Sequence, residues 1–278
     1  MQIKSRGTKI GTVLLYVFLV ISSLLMLVPF VWMLSSSLKL DKDVFVFPIK
    51  WLPSDPRWQN YKDIWTKIPL GLFIKNSAKL TIIVTILQLL SSSFGAYAFA
   101  KLRFKGKDIL FLGYIATIAM PWHVYMVPQF IMMRYFHLNN THLSIIFLQA
   151  FSAFGVFLMR QFYEGVPDEL CEAARIDGMS EYQIWAQIML PLSVPALSSL
   201  TIITFVNTWN DFLGPLLYLT RTELKTVQIG LRMFIGQYSS EYGLIMAASV
   251  VALVPVVLIF LSLQKFFVQG VANTGLKG

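Results

Sequence analysis

Six stretches of this 278-residue chain are so apolar, and so long, that water cannot be the solvent for all of them. They run over about 10–34, 80–100, 109–133, 143–159, 195–218 and 244–263. An α-helix rises about 1.5 Å per residue, so crossing a hydrocarbon layer of about 30 Å takes roughly 20 apolar residues. Backbone groups in hydrocarbon must pair within the protein, and a helix pairs them within its own segment. The expected fold is therefore an all-α membrane protein of about six transmembrane helices in a single membrane domain. Composition agrees, with 56% hydrophobic and 13% charged residues and a mean hydropathy of +0.65, against about 25% charged in a soluble domain. The first stretch follows Lys4, Arg6 and Lys9 as a signal peptide would. It exceeds the roughly 7–15 apolar residues of such a peptide and no small-residue cleavage site follows, so it reads as an uncleaved span.

Basic residues divide evenly between the two sides of such a bundle, and their placement decides its orientation. Three precede the first span, and Lys101, Arg103, Lys105 and Lys107 crowd one tight turn, whereas the others are diluted along a loop. The N-terminus is then expected in the cytoplasm. Six spans place the tail 265–278 and the polar loop 164–191 there too, and leave 40–75 outside. That outer segment, with Trp51, Trp58, Tyr61 and Trp65, is expected to hold a short helical piece on the membrane face. It serves either as an aromatic interfacial belt or as a docking surface.

Within the polar loop, residues 172–178 read Glu-Ala-Ala-Arg-Ile-Asp-Gly. Pro167 suits a first helical position, Asp168 and Glu169 favour a helix N-terminus, and Gly178 suits the stop. A second helix is expected from Ser180, capped with Gln183 in a capping box and ended by Pro191. On the first helix Leu170, Ala173, Ala174 and Asp177 share one face, where two methyl-sized side chains let a partner approach closely. Glu172 and Asp177 place charge at its edges. The helix-turn-helix is read as an element gripped by another protein.

Polar residues inside spans need partners or a wet cavity. Asn207, Asn210 and Asp211 on the fifth span, with Gln88 and Gln149 on others, are candidates for a solute path, the alternative being interhelical hydrogen-bond glue. Asp211 is expected to be nearly interfacial. Pro121 and Pro128 should break the helical ladder of the third span. No phosphate-binding loop, metalloprotease pair or nucleophile elbow occurs, and His123, His137 and His142 share no metal-ligand spacing; neither an enzyme nor a metal site is expected. The net charge of +9 comes from scattered residues, which argues against nucleic acid. Cys171 stands alone and reads as a small buried residue.

The run Pro167-Asp168-Glu169-Leu170-Cys171-Glu172-Ala173-Ala174-Arg175-Ile176-Asp177-Gly178, followed by Ile188-Met189-Leu190-Pro191-Leu192 and Pro195, resembles the EAA-loop signature of binding-protein-dependent ATP-binding-cassette importer permeases. Trp209-Asn210-Asp211-Phe212 with Pro215, and the ending from Gln264 to Gly278, extend the resemblance over essentially the whole chain, toward MalG-like subunits of carbohydrate importers. Met179 stands where that pattern usually has a small residue.

The resemblance implies a coupling helix seated in a groove of a separate ATPase. Leu170, Glu172, Ala173, Ala174, Arg175 and Asp177 would form it, and Gly178 would permit the turn. It also implies a MalF-like second permease, a MalK-like ATPase dimer that uses ATP and Mg²⁺, and an extracytoplasmic solute-binding protein. The chain itself would bind no cofactor and would lie among the lipids of a bacterial or archaeal cytoplasmic membrane. The implied cargo is a sugar or oligosaccharide. Glycerol phosphate or another polar solute is the nearest alternative, and a secondary transporter a more distant one.

Overall fold

A computed structural model describes residues 6–236 and 241–275, built of helices joined by turns. By contacts between residues the chain sorts into two compact units, 1–69 with 231–253, and 70–230 with 254–278.

The first unit holds α1 (Arg6–Ser37), α2 (Asp41–Val44) and α3 (Asn60–Lys67). Most of the apolar stretch of α1 is exposed within the chain, and only Ser35, Ser36 and Ser37 at its C-terminal end are buried, as suits a helix largely surrounded by hydrocarbon. Its C-terminal carbonyls would be orphaned without help. Asn60 supplies it, donating from Nδ2 to the Ser37 and Lys39 carbonyls at 2.9 Å each, and Tyr61 meets the Ser37 hydroxyl at 2.8 Å. Thus the segment expected outside carries its short helix tied to the end of α1. Trp51, Trp58 and Trp65 are exposed on it.

The second unit is organised on α4 (Leu70–Lys101), 32 residues long. It begins ten residues before the expected span and takes 70–75 out of the outer segment, because Leu70 and Phe73 pack into the protein rather than facing water. After a turn at Gly106 come α5 (Lys107–Ala116) and α6 (Trp122–Tyr135). These occupy the third expected span, yet they meet at 101° rather than as a kinked rod. Pro121 sits extended at the N-cap of α6, whereas Pro128 lies inside α6 without ending it. α7 (His142–Gln149) and α8 (Ala153–Glu164) form the fourth span, interrupted at 150–152.

Next come α9 (Asp168–Ile176) and α10 (Glu181–Ile184), with a π-helical turn over Trp185–Met189 leading into α11 (Leu190–Leu192). Pro191 does not end the second helix as expected. The wide turn lies where a proline would otherwise collide with the carbonyl four residues back, and the helix stops only at Ser193, where the chain bends by 80° into α12 (Val194–Trp209). The fifth span is broken at 210–212 before α13 (Leu213–Tyr218). α14 (Val227–Met233) and α15 (Tyr242–Gly275) complete the chain. α15 carries helix well into the expected tail 265–278, whose last three residues lie outside the described ones.

α4 packs on α8 and α12. Small residues make that approach possible, as they do between membrane helices generally. A Cβ on Gly155 would lie 3.0 Å from the Ser92 Cβ. Buried hydrogen bonds bind the same region: Ser93 meets Tyr163 at 2.7 Å and accepts from the Trp185 indole at 2.9 Å.

Candidate functional site

The helix-turn-helix is built as a rigid protrusion. Pro167 is the N-cap of α9 rather than its first residue, and Asp168 and Glu169 fill the first turn against Arg175 in the last, the arrangement a helix dipole favours. Gly178 stops the helix with φ +82°, a left-handed conformation that glycine adopts without strain. Its N–H donates to the Arg175 carbonyl at 3.1 Å and the Met179 N–H to that of Ala174 at 3.0 Å, which together make a Schellman motif. Ser180 and Gln183 form the capping box in full.

The face α9 presents differs from the expected one. Cys171 and Ala174 are buried at 1% and 4% exposure against the protein's own core, where burial pushes the Cys171 thiol pKa up and leaves it a packing residue. Ala174 therefore does not meet a partner. A stripe that is small and apolar at helical spacing is drawn first to the core of its own chain. The outward ridge consists of Glu169, Glu172, Ala173 and Ile176, with Leu170 and Asp177 at its margins, all exposed. Ile176, at 86% exposure, is an apolar side chain that no local burial explains. It went unread because it stands one turn beyond Ala173, off the stripe chosen from the sequence.

Two charged ties fasten this helix to the end of α4. The Lys101 ammonium, with only 3% of its side chain exposed, donates to the Val166 carbonyl and pairs with Asp168, and this pairing holds the Asp168 carboxyl below the usual range. Arg175 grips Glu181 with two N–H groups, at 2.7 and 3.2 Å, and holds the Glu181 carboxyl low. Glu181 also accepts a hydrogen bond from Tyr97 of α4. A cleft of about 580 Å³ opens beside them, lined by Lys101, Arg103, Glu172 and Arg175 among others. From sequence Lys101 reads only as a topology signal, and Glu181 carries no reading of its own.

The second group of expected residues gathers around the helix breaks. Gln88 Nε2 donates to the Gln149 carbonyl at 2.8 Å and Ser91 to that of Ala150 at 2.7 Å, so α4 satisfies the carbonyls freed where α7 stops. Thr204 donates to Gln88 Oε1 at 2.6 Å. The Gln149 side chain accepts from Thr208 at 3.2 Å and donates to Asp211 at 2.7 Å, and the other Asp211 oxygen accepts the Gly214 N–H at 3.1 Å. Asp211 is thus built into the break of the fifth span, with a hydrogen bond to each of its oxygens. Such irregular backbone at membrane depth survives where protein satisfies it or where it lines a cavity.

Both conditions hold. A cavity of about 570 Å³ is lined by Gln88, Gln149, Asn210 and Asp211, and by Trp122, Tyr125 and Gln129 of α6. A second, of about 310 Å³, shares Gln88, Gln149 and Asp211 and adds Asn207, Thr204 and Thr208. The structure therefore brings all five expected path residues to two adjoining cavities. Gln88 and Gln149 spend their amides on the helices, while Asn207 and Asn210 are exposed. Trp122, Tyr125 and Gln129 were missed because only the 101° turn carries α6 to this place; Gln129, a polar residue in an apolar run, was the available signal.

Comparison with known proteins gives consistent matches. The family model described as "Binding-protein-dependent transport system inner membrane component" matches residues 89–273. The chain is 37% identical to the arabinooligosaccharides transport system permease protein AraQ of Halalkalibacterium halodurans, over 81% of each chain. It is 34% identical to the protein of that name from Bacillus subtilis, over 95% of each. Its fold is similar to a chain in the crystal structure of a bacterial ABC transporter involved in the import of the acidic polysaccharide alginate, with a TM-score of 0.83 and 24% identity over 96% of this chain and 100% of that one.

Proposed function

The chain belongs to the binding-protein-dependent transport system inner membrane components, and from that premise we propose that it carries a sugar or oligosaccharide as one of two different permease subunits in an ATP-binding-cassette importer. It is a multi-pass membrane permease and works with a partner permease, an ATPase and a solute-binding protein, as membership of this family implies. The finer assignments are our own reading: a MalF-like partner, a MalK-like ATPase dimer that consumes ATP with Mg²⁺, both termini in the cytoplasm, and α9 as the helix the ATPase grips. The sugar cargo is supported by the arabinooligosaccharide permeases that resemble the chain over most of its length.

One observation carries the coupling role. α9 is a short polar helix with a protein-facing side already filled, an outward ridge topped by exposed Ile176, an ion pair to Lys101 at the end of α4, and a second ion pair to Glu181, which Tyr97 of α4 holds. When the ATPase dimer closes, a push on that ridge reaches α4 through Lys101 and Glu181. Asp168 of α9 pairs directly with Lys101 of α4, and Arg175 reaches Tyr97 of α4 through Glu181 of α10, so the push passes by side-chain contacts rather than along a flexible loop.

Glu172→Lys and Ile176→Asp each change only an exposed side chain, so folding should persist. Each should lower both the ATPase recovered with the membrane subunits and the transport per folded complex, by about tenfold for a buried interface anchor. Normal ATPase recovery together with unchanged transport in both variants removes α9 from that role.

A further inference from the structure

We propose that Asp211 makes this subunit's path selective for uncharged over acidic carbohydrate, with Trp122 and Tyr125 giving the surface on which the sugar lies. The inference rests on the importer reading above and deepens it.

Sugar rings offer weakly polar C–H faces that lie against aromatic rings, and hydroxyl groups that donate to carboxylates. The larger cavity pairs these two recognition elements. The Trp122 indole N–H donates to Gln129 Oε1 at 3.0 Å, which holds the ring in the cavity lining and leaves the Gln129 amide nitrogen to donate. Asp211 in the same lining is also held in place. Each of its oxygens accepts one hydrogen bond, from Gln149 and from Gly214, and each keeps a further lone pair for a ligand hydroxyl. At about 570 Å³ the cavity lies within the roughly 300–1,000 Å³ of small-molecule sites.

Charge decides the class of sugar. Among the described residues lining the two cavities, Asp211 alone is ionisable to a full charge near neutral pH, and no lysine or arginine lines either one. A uronate or phosphate brought beside Asp211 therefore meets a like charge with no cation to offset it. At about 5 Å and an effective dielectric near 20 that repulsion corresponds to a discrimination on the order of a hundredfold. A neutral oligosaccharide meets an acceptor for its hydroxyls and no penalty.

The test uses the complete membrane complex, both permeases with the ATPase, in nanodiscs without the binding protein, so that the path and not the delivery step is read. The probes are arabinotriose and trigalacturonate, with equilibrium binding measured for each. Wild type should prefer arabinotriose. Asp211→Asn keeps an oxygen to accept from Gly214 while removing the charge, and should narrow the preference by at least about tenfold. Asn210→Lys, which sets a cation in the cavity and leaves Asp211 in place, should narrow it likewise and stands in if the first variant fails to fold. Trp122→Ala should weaken arabinotriose binding about tenfold. A preference unaltered by both charge variants overturns the proposal, as does a complex that transports sugar yet binds neither probe. A wild-type complex whose ATP hydrolysis does not respond to its binding protein would sink the importer reading instead.

Discussion

Lys101 shows how one side chain decides what a helix end can do. Its ammonium is withdrawn from water and held by one carbonyl and one carboxylate, so removing the carboxylate leaves a buried charge short of a partner. The Asp168 carboxyl is held below its ordinary range by that hydrogen bond. A depressed carboxyl stabilises the fold fully above its unfolded value of about 3.9, and the contribution disappears as pH falls through the lower folded value. The melting-temperature gap between wild type and Asp168→Asn should therefore stay flat from about pH 8 to pH 5 and close below about pH 4. A gap that changes between pH 6 and 8 would assign the effect to another group. The two sides of α9 should likewise separate. Ala174→Leu overpacks a filled site and should cost about 1–3 kcal/mol, whereas Ile176→Asp should stay within about 0.5 kcal/mol in thermal denaturation. Gly178, Ser180 and Gln183 were legible in the sequence because caps are local chemistry. The true outward ridge was not, because which side of a helix is buried depends on what the rest of the chain packs against it.

At the level of elements, the straight spans and the broken ones differ in how they are specified. Length and apolarity alone mark α1, α4 and α15. Pro121 signals an interruption of the third span, but the 101° turn also depends on where α6 finds neighbours, which no proline encodes. The break at 150–152 has no proline at all; it is held by Gln88 and Ser91 from α4, sixty residues away in sequence. Gln88→Leu should then leave the Gln149 carbonyl and Thr204 hydroxyl without their partners and lower stability by about 1–3 kcal/mol; an unchanged melting temperature would make that contact incidental. The α4 and α8 crossing gives a sharper test. Gly155→Ala forces a methyl group against Ser92 and should lower the melting temperature, and adding Ser92→Gly should restore most of the loss. Failure of the second change to rescue the first would mean that the backbone, not the Ser92 side chain, sets the closeness of these helices.

For the molecule as a whole, the all-α membrane class followed from hydropathy, and the charged loop supplied a likeness that the family and its relatives uphold. What sequence could not supply was the convergence of Gln88, Gln149 and Asp211, from three different spans, on shared cavities. The central claim is that the outward ridge of α9 lies in the cytoplasm under the ATPase. It can be tested by replacing Cys171, the single cysteine, with alanine, introducing Ile176→Cys, and measuring labelling by a membrane-impermeant maleimide. The account predicts no labelling in intact cells, rapid labelling in inside-out vesicles stripped of ATPase, and at least about tenfold slower labelling once the ATPase subunit is added back. Labelling from the outside of intact cells, or a rate in inside-out vesicles indifferent to the ATPase, would contradict it.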